Sequence, residues 1–222
     1  MSLILNIDTA LNRASVCLAE NGRPVRLVVQ EDKKDNTAWL HVTIADMLKK
    51  NNIVAGDLQA VGVSIGPGSY TGLRVGLAAA KGLCYALQKP LVAISTLKMM
   101  ALAAKNEATD LICPLIDARR MEVFTAIYDS SLREKKSPHP LVIDETSFAS
   151  LLDEHEIVFC GNGMEKLRPL IQHHHATFSG SHSDATQLAI LSHESFTANA
   201  FADLAYTEPL YIKEFYSAGR KS

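Results

Sequence analysis

Nowhere in the 222 residues does an apolar run approach the roughly 18 residues of a membrane span, so a transmembrane helix is not expected. The chain also lacks the basic start and small-residue cleavage site of a signal peptide, and a cytoplasmic location is the expectation. Excess charge is missing as well: 22 Lys and Arg stand against 24 Asp and Glu, and no basic cluster is longer than a pair or two. Independent tight binding to nucleic acid is therefore not indicated, although a basic partner could supply that charge. The four cysteines, Cys17, Cys84, Cys113 and Cys160, have neither CxxC spacing nor nearby histidines. Buried reduced thiols are expected, not a zinc site or a disulfide. His173, His174 and His175 form the one histidine cluster. Consecutive side chains diverge from a strand or helix, so the cluster reads as a solvated loop and no metal site is expected.

What remains is a well-packed globular composition, 47% apolar and 21% charged, long enough for one large domain or two lobes. Strand-like stretches at 3–8, 14–20 and 25–30, the last two joined by Asn21-Gly22, predict a three-strand meander. Trp39, Leu40, Ile44, Met47 and Leu48 recur at helical spacing within 36–51, ahead of an apolar strand at 60–65. A glycine turn, a small-residue helix at 71–87, a strand at 91–95 and a helix at 96–104 follow. The pattern then restarts. Strands are expected at 112–117, 122–129, 141–143, 157–160 and 211–215, with helices near 147–155 and 186–199. Such alternation predicts mixed α/β architecture, divided into a first lobe at 1–105 and a second at 106–222.

The most informative stretch is Gly66-Pro67-Gly68-Ser69-Tyr70-Thr71-Gly72-Leu73-Arg74-Val75-Gly76. It leads into a helix carrying Ala78, Ala79, Ala80 and Gly82, whose only charges are Arg74 and Lys81. Glycine inside a helix costs about 1 kcal/mol relative to alanine, so two of them point to a close-packing requirement. A sheet, a second helix or another protein could impose it.

Three chemical readings compete. Gly62-Val63-Ser64-Ile65-Gly66 satisfies the GxSxG pattern of a hydrolase, but Ser64 falls inside a strand and not on the turn that a nucleophile elbow requires. Residues 66–72 resemble a phosphate cradle, yet the Walker Lys and Ser/Thr would fall at Leu73 and Arg74, and Ser69 or Thr71 serves equally as a helix cap. Asp8 ends the first strand, where a nucleotide-binding meander would place a carboxylate near metal. It is followed by Thr9-Ala10 instead of a glycine-rich turn, so a turn-forming aspartate is the expectation.

Taken together, Ile7-Asp8-Thr9-Ala10, the glycine motif with Ala80-Lys81-Gly82-Leu83, Ile116-Asp117-Ala118-Arg119-Arg120-Met121-Glu122-Val123 and Glu208-Pro209-Leu210-Tyr211 resemble the TsaB (YeaZ) family. The resemblance covers nearly the whole chain. It implies an actin-like ATPase (ASKHA) fold of two ribonuclease-H-like lobes, the second degenerate. It also implies a part in making the threonylcarbamoyl modification on the adenosine beside the anticodon of tRNAs reading codons that begin with A. In that system TsaB is a partner of TsaD, which transfers the group, and the ATPase TsaE binds the pair. TsaD-like relatives carry an HxxxH metal pair, and the aligned positions here are Thr96 and Met100.

The resemblance thus implies a non-catalytic subunit that binds a TsaD-like protein, forms a homodimer when that partner is absent, meets tRNA only through the complex, and leaves ATP and metal to its partners. Trp39, Thr43, Met47, Leu73, Arg74, Leu77, Ala80 and Lys81 are the candidate partner-binding residues. Asp8, Gly66, Gly68 and Ser69 are candidates for a nucleotide at the interface. A small-molecule kinase of the same fold and a hydrolase using Ser64 stand as alternatives.

Overall fold

The computed structural model describes residues 2–30 and 36–213. The meander is β1 (Leu3–Asp8), β2 (Ser15–Glu20) and β3 (Arg23–Val29), and Asn21 and Gly22, with φ of 50° and 75°, make its tight turn. There follow α1 (Asn36–Lys50), β4 (Ala60–Gly66), α2 (Tyr70–Leu87), β5 (Leu91–Ser95) and α3 (Thr96–Ala104). A second set comprises β6 (Leu111–Asp117), β7 (Glu122–Asp129), β8 (Glu134–Val142), α4 (Ala149–Glu154), β9 (Ile157–Cys160), α5 (Met164–Leu167), β10 (Ala176–Phe178) and α6 (Ala185–Thr197).

The strands form two five-stranded sheets, ordered β3-β2-β1-β4-β5 and β10-β9-β6-β7-β8. Read from the other edge, the second repeats the first: an antiparallel meander, then a strand parallel to its first member and another beyond it. This duplicated ribonuclease-H-like order is the two-lobed actin-like fold.

Alternating side chains cover both faces of the first sheet, as the two-residue strand period requires. Leu5, Ile7, Val16 and Leu18 pack under α1 and α2, while Ile4, Cys17 and Ala19 meet α6 on the reverse side. Asp184 and Gln187 form a capping box that starts α6, and the Ala185 amide donates to Ser15 Oγ at 2.9 Å, fixing the helix on β2. Helix α3 instead packs on the second sheet, where Leu97, Met100 and Ala101 join Ile112, Ile116 and Val158 in one core.

These contacts correct the division at residue 105. Residues 185–197 return to the first sheet, and Ala202 bridges to Leu91 at its β5 edge. Strand β8 is longer than the expected 141–143, because Pro138 and Pro140 are tolerated where the strand has a neighbour on one side alone. The segments α5 and β10 have four and three residues, too short for periodicity to reveal. Of the expected strand at 211–215, residues 211–213 are not strand, and 214 and 215 lie outside the described residues.

Candidate functional site

The glycine motif brings α2 down onto the turn after β1. Ser69 caps the helix by accepting from the Gly72 amide at 3.2 Å, and its own amide donates to the Ala10 carbonyl at 2.7 Å. Thr9 Oγ1 donates to the Gly72 carbonyl at 2.7 Å. A Cβ on Gly68 or Gly72 would overlap the carbonyl oxygens of Ala10 and Thr9 respectively. The small residues at this end of α2 therefore serve contact between helix and turn, and protein atoms fill the approach that a phosphate cradle would leave open.

This corrects the nucleotide set. Asp8 is 1% exposed, and Gly66 is buried against Leu210, so neither reaches a ligand. Gly68 and Ser69 do line a cleft. Burial pushes the Asp8 carboxyl above its ordinary value, opposed by hydrogen bonds from Ser64 and the Ala10 amide, with the Asp184 charge adding slightly to the rise. Ser64 is wholly buried and donates to Asp8, which removes it as an accessible nucleophile.

At the positions that the resemblance aligns with an HxxxH pair, Thr96 is fully buried and Met100 is 3% exposed. The Met100 methyl lies where a Gly161 side chain would begin, so it packs the two lobes together. A thioether is a poor donor for a hard or borderline cation, and one neutral hydroxyl beside it does not make a pair of ligands. Among the described residues no group of three or more His, Cys, Asp and Glu is arranged to hold a metal ion. The rings of His173, His174 and His175 lie 4.0 to 5.2 Å apart and contact one another, and His175 Nδ1 is 2.7 Å from the Leu152 carbonyl oxygen. All four cysteines are free and buried, and burial pushes the Cys17 and Cys113 thiols up to about 12.

Between the lobes runs a cleft in two adjoining parts, of about 500 and 280 Å³, sharing Leu11, Asn12 and Asn162. The larger part is closed by the α2 N-terminus, Tyr70, Phe124 and the β6–β7 turn, and the smaller one is bordered by Arg13 and the loop preceding α6. Lys166 organises that turn. Its ammonium donates to Asp117 Oδ1 and the Arg120 carbonyl, both at 2.5 Å, and to the Glu122 carbonyl at 3.4 Å. Burial raises the Asp117 carboxyl, but Lys166 and the Arg119 amide together hold it below its ordinary value.

A second feature lies on the outer side of α2. His41 from α1 and Arg74, Val75, Ala78, Ala79, Gly82 and Leu83 from α2 line a shallow groove of about 500 Å³. Ala78 and Gly82 are exposed, and nothing lies within 4 Å of where a Gly82 side chain would begin. Met47, Leu73, Leu77 and Ala80 are all 5% exposed or less and pack inward, not on the groove's surface. Trp39 and Thr43 are half-buried on α1, and Lys81 turns away to donate to the Ala205 and Thr207 carbonyls. Of the expected partner set, Arg74 is in the groove, with its guanidinium 3.5 Å from the Tyr70 ring centroid. Ala78 and Gly82, at i and i+4, line the groove although neither stood in the expected partner set. The positive φ at Arg119 and Arg120 left no signal in the sequence.

A family model described as TsaD, tRNA N6-adenosine threonylcarbamoyltransferase, matches residues 30–216. The tRNA threonylcarbamoyladenosine biosynthesis proteins TsaB of Bacillus subtilis and Escherichia coli are 34% and 36% identical over 125 and 127 residues. The chain belongs to the TsaB (YeaZ) family. Each alignment takes in 56% of this chain and 54% of the relative, so the chain spans about half the length of the curated relatives it matches. YeaZ from Pseudomonas aeruginosa superimposes with a TM-score of 0.83 over 95% of this chain and 100% of that one. At 24% identity that likeness establishes the shared fold. No helix among the described residues is long and apolar enough to cross a membrane.

Proposed function

We propose that the chain is a non-catalytic subunit in the formation of N6-threonylcarbamoyladenosine beside the anticodon of tRNAs that read codons beginning with A. It acts by binding and supporting a TsaD-like catalytic subunit. The observation that carries this reading is the groove on α2, an open strip of small side chains that invites close approach by another helix. Thr96 and Met100 support the absence of transfer chemistry here, and in this reading metal and ATP belong to the partners. A TsaE-like ATPase joins the pair, and a second copy of this chain takes the groove when the TsaD-like subunit is missing.

The kinase and hydrolase alternatives have less support, given the filled approach beside Thr9 and Ala10 and the buried Ser64. Mixing the purified chain with a TsaD-like subunit, and assaying modified tRNA with and without each, tests the proposal. Modification that needs both chains, with no ATP turnover by this chain alone, is the expected outcome. Unchanged modification without this chain refutes it.

A further inference from the structure

Arg119 and Arg120 adopt φ of 68° and 48°, a left-handed conformation that costs each non-glycine residue about 1 kcal/mol or more. Neither arginine needs that geometry for packing, since both are exposed at the tip of the β6–β7 turn. The turn is nevertheless held firmly, by Lys166 on the Arg120 carbonyl, by the Arg119 amide on Asp117 Oδ1 at 2.6 Å, and by Asn162 Oδ1 on the Asp117 amide at 3.1 Å. The result is that Arg119 borders the larger part of the interlobe cleft, with Arg120 exposed beside it. Across the cleft, the turn after β1 presents a third arginine, Arg13.

Charge matching around the cleft is one-sided. Asp117 is paired with Lys166, Glu122 with Lys213 at 2.6 Å, and Asp184 caps α6. Arg13, Arg119 and Arg120 form no ion pair among the described residues. Arg119 also draws on the Asp117 charge, while Arg13 and Arg120 have no carboxylate at ion-pair distance among the described residues. The larger part of the cleft, about 500 Å³, is lined by Tyr70, Phe124 and Asn162. Guanidiniums around an aromatic-lined slot match the chemistry of an unpaired nucleotide, with phosphates on the rim and the base stacked inside.

We propose that this cleft is a direct RNA contact, in which Arg119 and Arg120 hold backbone phosphates of an unpaired strand or loop and one base enters beside Tyr70 and Phe124. The fold assembles the arginines from positions about a hundred residues apart in the sequence, which is why no basic cluster announces them. An acidic protein would use the rim but not the slot. The inference rests on the proposed role in tRNA modification and deepens it, from contact through the complex to contact by this chain.

The test uses the full chain and a fluorescently labelled RNA hairpin with an unpaired loop, titrated at several salt concentrations, with AMP as a separate ligand. Binding at low salt with a dissociation constant of about 10⁻⁴ to 10⁻⁶ M is expected, and the salt slope should fall by about 0.7 for each phosphate contact removed. The decisive variant is Arg119→Asn with Arg120→Asn, because asparagine accepts positive φ and removes both charges. RNA affinity should drop about tenfold or more while the melting temperature stays level or rises. Unchanged affinity in this variant, no binding by the wild type up to about 1 mM protein, or AMP binding as tightly as the hairpin each overturns the inference. So does loss of the TsaD-like partner with RNA binding intact, which would make the arginines a protein contact. If the proposed subunit role itself is wrong, the wild type fails to associate with the TsaD-like subunit. If only the RNA contact is wrong, that association survives.

Discussion

Ser64 Oγ donates a 2.6 Å hydrogen bond to Asp8 Oδ1 across the buried ends of β4 and β1. Each residue looks chemically useful in isolation, one in a GxSxG pattern and the other ending the first strand. Inside the fold each satisfies the other, and both are closed to solvent.

Burial raises the Asp8 carboxyl, so folding favours its protonated form. Its contribution to stability is complete below the ordinary value of 3.8 and is lost as the pH rises through the higher native value. Asp8→Asn keeps an oxygen acceptor for Ser64 and Ala10 and carries no charge. Thermal melts across the acid-to-neutral range should therefore find the variant more stable near neutrality, with the gap closing as the pH falls. Parallel pH profiles for the two proteins would contradict this account.

Two helix glycines should respond oppositely to one methyl group. Gly72→Ala drives a side chain into the Thr9 carbonyl, which belongs to the backbone and cannot swing away, at a cost of about 1–3 kcal/mol. Gly82→Ala meets open space and removes a poor helix former, a gain of about 1 kcal/mol in the isolated chain. Denaturant titration of both variants measures the contrast. Similar losses at the two sites would place Gly82 against protein.

Most element positions were legible, because the signals that set them are local. Asn21-Gly22 specifies its hairpin, Ser69 caps α2, and an apolar run marks β4. The sidedness of α2 was not. Alanine and glycine occur on both its inner and outer faces, so hydrophobic period cannot distinguish Ala80, wholly buried, from exposed Ala78. The cleft was illegible for another reason: Lys166 reaches Asp117, and Arg13 and Asp117 border adjoining parts of one cleft, through topology alone.

Exposed Ala78 and buried Ala80, two positions apart and so on opposite sides of α2, allow the groove to be probed without ambiguity. Ala78→Arg or Gly82→Glu should leave circular dichroism unchanged and weaken association with a TsaD-like subunit or a second copy by about 2 kcal/mol or more. Ala80→Glu, by contrast, buries an unpaired charge and should destabilise the fold by several kcal/mol, roughly 3–5. Calorimetry and light scattering report the first outcome and thermal melts the second. Full association by both outer variants would move the interface elsewhere.

Lys166→Met tests the support beneath the β6–β7 turn. Partial exposure keeps the Asp117 pair modest, so a loss of about 1 kcal/mol is expected at neutral pH. The native Asp117 carboxyl is held low, so its stabilisation is present above 3.8 and disappears as the pH falls through the native value. The variant should accordingly lose less stability than the wild type on acidification. Amide exchange at Arg119 to Glu122 should quicken in the variant, and unaltered exchange would show that the turn holds itself.

Placing α6 on the first sheet has a consequence for synthesis. Ribosomes deliver the chain from its N-terminus, so the sheet face carrying Ile4, Cys17 and Ala19 stays uncovered until residues 185–197 have emerged. For most of translation the nascent first lobe therefore exposes an apolar surface that its own later residues are destined to cover, and a chain stalled before residue 185 should be a substrate for chaperones or proteases.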